Sequence, residues 1–143
     1  MASTNFTNFP RALVSAGHNF TSDTLKVLLV SAAPSEANLD AWANRSDITG
    51  IEVTGTGYSA GGIAQPYTLN ALDTALNRQT ITLTNIVDGW TGATISAVGA
   101  IVYKNSGSSA TDKLITFVDF GGTVAVTGGT FSITYSTDLI VSR

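Results

Sequence analysis

His18 is the only histidine of the chain and the first residue to consider for chemistry. A histidine can take a proton from a serine in a serine-histidine-aspartate triad, or join other histidines and cysteines around a zinc ion. The chain has one histidine and no cysteine, so a single copy cannot supply a multi-histidine or cysteine-containing metal site. His18 also falls in a segment with the features of an arm. We therefore predict no catalytic residue, no metal and no cofactor.

Paired carboxylates are the other arrangement that could carry catalysis. Two acids can hydrolyse a glycosidic bond when burial raises the pKa of one and the other stays ionised. Asp112 with Asp119, and Asp40 with Asp47, are pairs that a fold could bring together. Most acids of the chain are scattered at positions typical of turns and strand ends. The sequence therefore predicts a protein that is not an enzyme.

The glycine-rich run Gly55–Gly62 could suggest a loop that binds phosphate through its backbone N–H groups. Such loops lead into a helix and end in Gly-Lys-Ser or Gly-Lys-Thr. This run leads into Ile63-Ala64-Gln65-Pro66 and has no such ending. We interpret it as a structural turn.

Trp90 is the aromatic residue whose position most favours a binding role. It lies in Asp88-Gly89-Trp90-Thr91-Gly92, which has the composition of a loop. An exposed tryptophan there could stack on a sugar or contact a partner protein. The other tryptophan and most tyrosines fall in predicted strands or a predicted helix, where core packing explains them.

The composition excludes several classes of partner. The 143 residues suit one domain, with 43% hydrophobic and only 12% charged residues and a net charge of −3. No basic run is present, so we predict no nucleic-acid binding. No segment approaches the ~20 apolar residues of a membrane span, and the N-terminus lacks the pattern of a cleaved export signal. The surface residues that replace charge are Thr, Ser, Asn and Gly, which suit either an assembled protein or a monomer with a Thr-rich face.

Residues 1–22 are predicted to form an N-terminal arm. Phe6, Phe9 and Phe20 stand among Asn, Ser and Thr without a sustained period. Exposed aromatics need cover, so these three could be anchors on a neighbouring subunit, or they could pack on their own domain. Both alternatives stay open at this point.

Residues 23–143 are predicted to form one β-sandwich domain, jelly-roll-like, with about eight strands. Thr24–Ser31 is an apolar run typical of a strand buried on both faces. Leu39, Trp42 and Ala43 fall at helical spacing, so a short helix with Ser35 as N-cap is predicted over 35–43. From Ile48 onward apolar residues alternate with period two. Predicted turns separate the strands at Gly55–Gly62, Asn85–Gly92, Asn105–Ser109, Gly121-Gly122 and Gly128-Gly129.

Several blocks in this order resemble a family of small tailed-bacteriophage virion proteins, the capsid decoration or cement proteins. They are Phe9–Leu13, Thr24-Leu-Lys-Val-Leu-Leu-Val, Glu52-Val-Thr-Gly-Thr-Gly-Tyr-Ser-Ala-Gly-Gly62, Ala100-Ile-Val-Tyr-Lys104, Leu114–Gly121 and Gly129-Thr-Phe-Ser-Ile-Thr-Tyr135. The resemblance rests on the order of the blocks and spans nearly the whole chain.

The resemblance implies a β-sandwich that binds the outer surface of a phage capsid and stabilises contacts between capsomers. It implies the major capsid protein as partner, self-association as a homotrimer, manufacture in the host cytoplasm and a location in the virion. Another virion component, such as a tail or baseplate protein, is the first alternative. A carbohydrate-binding β-sandwich module that uses Trp90 or the Tyr58 loop is the second.

Overall fold

The computed structural model describes residues 2–15 and 17–142, and of residues 140–142 the backbone alone. This part of the chain has eight strands, two short α-helices and one turn of 3-10 helix at Arg45–Asp47. The helices are α1 (Asn8–Val14) and α2 (Glu36–Ala41). The strands are β1 (Ala2–Asn5), β2 (Leu25–Val30), β3 (Ile63–Ala64), β4 (Tyr67–Leu69), β5 (Arg78–Leu83), β6 (Ile86–Lys104), β7 (Leu114–Ile133) and β8 (Leu139–Ser142).

The strands form two antiparallel sheets, so the predicted all-β fold with about eight strands is confirmed. The larger sheet has the order β1-β7-β6-β2-β3 and the smaller one β4-β5-β8. The connectivity of the larger sheet differs from that of a jelly roll. In a jelly roll the first strand pairs with the last, whereas here β1 pairs with β7 and β2 pairs with β6. The longest pair is instead a hairpin of consecutive strands.

Strand β2 is buried on both faces, as its apolar sequence predicted. Val27 and Leu29 face the main core, where they meet Ile81 and Leu83 of the smaller sheet. Leu28 faces a second core on the other side, which α2 and the residues after it cover. The large sheet is therefore the middle layer of the molecule.

The predicted short helix is confirmed. The Ser35 side chain accepts a hydrogen bond from the backbone N–H of Asn38, and helix α2 begins at the next residue, Glu36. Such a cap satisfies one of the N–H groups that a helix start leaves unpaired. Leu39 is buried and Trp42 packs beside it in the second core. The helix is thus fixed by its cap and by two apolar contacts.

Three of the predicted turns are wrong, because Asn85–Gly92, Gly121-Gly122 and Gly128-Gly129 lie almost wholly inside the long strands β6 and β7. Gly99 pairs with Asp119 and Ala97 with Val124, so β6 advances two residues while β7 advances five. Gly121 has a φ of 78° there. A glycine with positive φ lets a strand bulge without ending. The glycines therefore bend a continuous hairpin.

The period-two pattern that starts at Ile48 predicted a strand through Ile51 and Val53, and this prediction is also wrong. Only a single bridge, between Val30 and Glu52, forms there.

The segment predicted as an N-terminal arm lies on its own domain over its described residues, which is one of the two alternatives that the sequence left open. Strand β1 pairs with Thr116–Asp119 of β7, and the Phe6 N–H continues this pairing to the Ile115 carbonyl. Phe6 and Phe9 have exposed fractions of 0% and 1%. The segment packs on its own domain because two phenylalanines gain more by burial there than an extended, solvated arm would offer.

Candidate docking surfaces

Four residues were predicted to bind a partner, and all of them lie in the interior or at its margin: Phe6, Phe9, Phe20 and Trp90. Phe6 belongs to the second core and Phe9 to the main core. Phe20 is half-buried and contacts Phe9 with ring centroids 6.1 Å apart. These three phenylalanines take the intramolecular alternative that the sequence left open. A role for this segment in assembly stays a prediction.

Trp90 is not in a loop and is not a surface platform. It lies in β6 with 3% of its surface exposed, stacked on Tyr58 at 6.0 Å and edge-on to Phe131 at 5.9 Å. A sugar cannot stack on a ring that already has neighbours on its face and edge. Trp90 is therefore a core residue, and sequence reasoning missed this because Gly89 and Gly92 resembled turn residues.

His18 is held between aromatic rings. Its ring stacks on Phe20 at 5.6 Å and meets Phe9 edge-on at 5.3 Å. Neither ring nitrogen has a hydrogen-bond partner among the described residues, and Nδ1 lies 3.9 Å from the Asp23 carboxylate. Burial lowers the pKa of His18 to about 4; Asp23 opposes this shift and the nearby Lys104 adds to it. Among the described residues, no serine hydroxyl is hydrogen-bonded to this ring, so His18 is not placed as a triad base.

Asp23 joins this cluster to the large sheet. Its carboxylate lies 3.0 Å from Lys104 Nζ, and Lys104 also donates a hydrogen bond to the Gly17 carbonyl. The Tyr67 hydroxyl donates to the carbonyls of Phe20 and Asp23. The segment after α1 is thus tied down by charge and by hydrogen bonds as well as by aromatic packing.

The glycine-rich run is a structural turn, as predicted, because its polar contacts are made to the protein itself. Glu52 Oε1 accepts hydrogen bonds from the Tyr58 hydroxyl at 3.0 Å and from the Gly61 N–H at 2.5 Å. The Tyr103 hydroxyl donates to the Gly61 carbonyl, and burial raises the pKa of Tyr103 to about 12. A Cβ on Gly62 would lie 1.8 Å from the Val27 carbonyl oxygen, so only glycine fits. The N–H groups of Tyr58, Gly61 and Gly62 are thus already bonded within the protein, to Gly55, Glu52 and Ser59.

The candidate carboxylate pairs do not form a shared acid site. Asp112 is bound by Arg45, with 2.8 Å between Nε and Oδ2, and by the N–H and hydroxyl of Ser106. Burial acts to raise the pKa of Asp112, but these hydrogen bonds outweigh it and the pKa is lowered. Asp119 instead accepts from the Gly121 N–H.

The second candidate pair is likewise divided between separate structural roles. Asp40 accepts from the Thr7 hydroxyl, whereas Asp47 accepts from the N–H groups of Ala43 and Asn44. Each of these acids therefore holds a local turn or contact.

The described part of the chain has no group of three or more histidine, aspartate or glutamate side chains placed to hold a metal ion. Within the same residues, no helix has the length and apolarity needed to cross a bilayer.

A surface cavity of about 270 Å³ lies between α1 and the start of β7. Two cations, Arg11 and Lys113, line it together with Asn8 and Ser15, and none of its described lining residues is acidic. Lys113 Nζ donates to the neutral Asn44 side chain at 2.8 Å, and it forms no salt bridge with a described carboxylate. This cavity could hold a carboxylate or another small anion at its rim.

The most apolar exposed feature is the tip of the β4–β5 hairpin. Leu72 and Leu76 have 64% and 61% of their surface exposed, and Leu69 has 39%. Asp73 and Arg78 exchange backbone hydrogen bonds at 3.0 and 3.1 Å, and their side chains form an ion pair at 3.2 Å. Because these contacts already order the turn, a partner that binds the leucines would not have to order it first. We call Leu69, Leu72 and Leu76 the leucine tip.

Sequence reasoning missed the leucine tip, although a signal was present. Three leucines lie within eight residues of an otherwise small and polar segment next to a predicted strand. Their spacing is that of a helix face, but the segment is too short for a helix and no second element covers it. A group of apolar residues that lacks the alternation of a strand, and that is too short for a helix, is a candidate for an exposed apolar surface.

Comparison with known proteins adds no family to this geometry. No protein-family model matches the chain, and searches of curated proteins and of solved structures gave no match.

Proposed function

We propose that this protein is a structural virion component that binds the outer surface of a phage capsid and stabilises contacts between capsomers. The observation that carries the proposal is the leucine tip, a group of three exposed leucines on a protein with few charges. Contiguous exposed apolar groups mark sites of protein contact. The order of sequence blocks that resembles decoration proteins supplies the identity of the partner, the major capsid protein.

The mechanism is a linkage between binding and stability. A ligand that binds the assembled shell but not the free subunits stabilises the shell by RT ln(1 + L/Kd) for each site, where L is the free ligand concentration. Many weak contacts suffice, because the lattice presents several sites at fixed spacing. The low charge favours this role, since a surface of Thr, Ser and Asn loses less hydration energy on contact than one of Lys and Glu.

The test is binding of the purified protein to particles assembled without it. Full burial of a leucine contributes about 1.5–3 kcal/mol. Replacing both Leu72 and Leu76 with alanine should therefore weaken binding at least ~10-fold. The matched control replaces the exposed Thr68 and Thr74 with alanine on the same hairpin and should bind like the original.

Copies bound per capsid, counted by cryo-electron microscopy, provide the readout and the location. Density on the outer face of the head, lost in the leucine variant, is the expected result. Density in the tail or baseplate would favour the alternative virion role. Failure to bind particles at all, with the fold intact, would overturn the proposal.

A further inference from the structure

Strand β7 leaves one side of its outer part without a partner. Strand β1 pairs with β7 only as far as Asp119, while β6 occupies the opposite side through Ile133. Among the described residues, no strand pairs with residues 120–133 on the side that β1 leaves. An edge of this kind exposes unpaired N–H and C=O groups, and proteins commonly protect such edges with charged residues, proline or bulges. The bulges of this strand lie at Gly121 and Gly128, on either side of residues 123–127. No charged residue and no proline lies between Phe120 and Thr137.

The sequence of this edge is a palindrome. Gly121–Gly129 reads Gly-Gly-Thr-Val-Ala-Val-Thr-Gly-Gly in both directions, with Ala125 at its centre. Two copies paired antiparallel about a two-fold axis at Ala125 therefore place identical residue types opposite each other. Val124 of one copy meets Val126 of the other, and Thr123 meets Thr127. Valine pairs and threonine pairs are favourable cross-strand neighbours.

The faces of the sheet match in this register. Val124 and Val126 lie opposite Ala97 and Ile95 of β6, which are buried in the core. Val124 nevertheless has 43% of its surface exposed, because the core ends at this edge. The Val126 side chain of a second copy would cover it. A shift by one residue would instead place valines against the opposite face of the sheet.

Two glycines of the palindrome have no explanation within one chain. Gly122 and Gly129 do not have a positive φ, unlike Gly121 and Gly128. A Cβ on Gly122 would meet no heavy atom within 4 Å, and one on Gly129 would make ordinary contacts at 3.9 Å. Glycine in a strand marks places where another backbone approaches closely. In the two-fold pair each of them faces a glycine of the other copy.

We infer that the edge Gly121–Gly129 binds the same edge of a second copy of this chain, as an antiparallel strand pair with its two-fold axis at Ala125. The pair joins two five-stranded sheets into one continuous sheet. Such an interface is isologous, with the same surface contributed by both copies. It does not rest on the proposed function, since two copies can pair in solution with no capsid present.

Cysteine cross-linking tests the register. The chain has no cysteine, so Ala125→Cys introduces a single thiol. Directly opposite residues in an antiparallel pair have Cα atoms about 4.5–5.5 Å apart, within the range for a disulfide. Two copies of residue 123 would lie four residues out of register, roughly 13 Å apart. Under mild oxidation Ala125→Cys should form a covalent dimer, whereas Thr123→Cys should form one only when mixed with Thr127→Cys.

Charge substitution tests the same contact without a covalent bond. Light scattering on the unmodified protein should give twice the 14.8 kDa mass of one chain. Ala125→Lys should give a monomer, as should Ala125→Glu, and an equimolar mixture of the two should restore the dimer. Thr91→Lys, on the exposed face of β6, is the control and should stay dimeric. A trimer, or a monomer at all concentrations, would overturn the inference, as would equal cross-linking of the three single-cysteine variants.

Discussion

The two halves of the β6–β7 hairpin are both antiparallel pairs, but they differ in register and in their surroundings. The inner half, Gly99–Lys104 with Leu114–Asp119, lies between β1 and β2 and has apolar cores on both of its faces. The outer half, Ile86–Ala97 with Phe120–Ile133, has one edge unpaired within the described chain and is exposed at most β7 positions. From this difference we expect the inner half, with a strand on each side and a core on each face, to be the more stable part of the hairpin.

The largest effect should come from truncating a side chain under the inner half. Phe6→Ala empties a fully buried site beside Leu28 and Phe117 and should cost about 3–5 kcal/mol of unfolding free energy. Val124→Ala in the outer half should cost well under about 1 kcal/mol, because the site is already partly exposed. Denaturant titration measures both. Equal losses would show that the two halves do not differ in stability.

Acid should weaken the segment that covers the inner half. The pKa of His18 is lowered to about 4 in the folded chain, from 6.5. The unfolded chain therefore takes up a proton first as the pH falls from 6.5 to 4, and unfolding becomes easier across that window, by on the order of 2–3 kcal/mol. His18→Phe keeps an aromatic ring and should flatten the pH dependence. A stability that stays constant between pH 6.5 and pH 4 in the original protein would contradict this.

The ion pair at the closed end of the inner half should matter more than one on the exposed hairpin tip. Asp112 is 1% exposed beside Arg45, whereas Asp73 and Arg78 are 33% and 38% exposed. Asp112→Asn should cost about 2 kcal/mol, since it leaves a half-buried guanidinium with a weaker partner. Asp73→Asn should cost much less, because solvent screens this exposed pair. Thermal unfolding of the two variants is the measurement, and a reversed order would refute this ranking.

The smallest changes in unfolding free energy should come from replacing one glycine with alanine in each half of the hairpin. At Gly99 a Cβ would lie 2.5 Å from the Phe117 ring, so Gly99→Ala should cost about 1–2 kcal/mol by overpacking. Gly122→Ala meets open space and should leave the unfolding free energy unchanged or raise it by about 0.5 kcal/mol, measured at concentrations low enough to hold the chain monomeric. A strong loss at Gly122 in the monomer would mean that a contact within one chain requires it.

Local signals in the sequence were sufficient for some elements. The buried strand β2 and the helix capped by Ser35 were predicted because each depends on residues within a few positions. The long hairpin was not, because Gly121 and Gly128 have the composition of turns and only the neighbouring strand shows that they are bulges. Phe6 and Phe9 were open to two interpretations because their partners are distant in sequence.

The candidate site was less predictable than the fold. Trp90 was misplaced together with its strand, and its burial depends on Tyr58 and Phe131, which no local pattern connects to it. The leucine tip is exposed because no other element covers it among the described residues. A sequence pattern shows where apolar residues are, but not which residues pack against them. The palindrome is visible in the sequence, but it gains a meaning only when β7 is known to be an edge.

The pairing of β1 with β7 has a consequence for the order of folding. Thr116 donates a hydrogen bond to the Thr4 carbonyl across a separation of 112 residues. At a synthesis rate of about 5–20 residues per second, Ala2–Asn5 leave the ribosome roughly 6–22 s before their partners are made. Strand β1 is therefore made well before its partner strand and joins the sheet late. The sequence of this strand, Ala-Ser-Thr-Asn, is small and polar. Before β7 is made, it therefore has little tendency to pair with other strands or to aggregate.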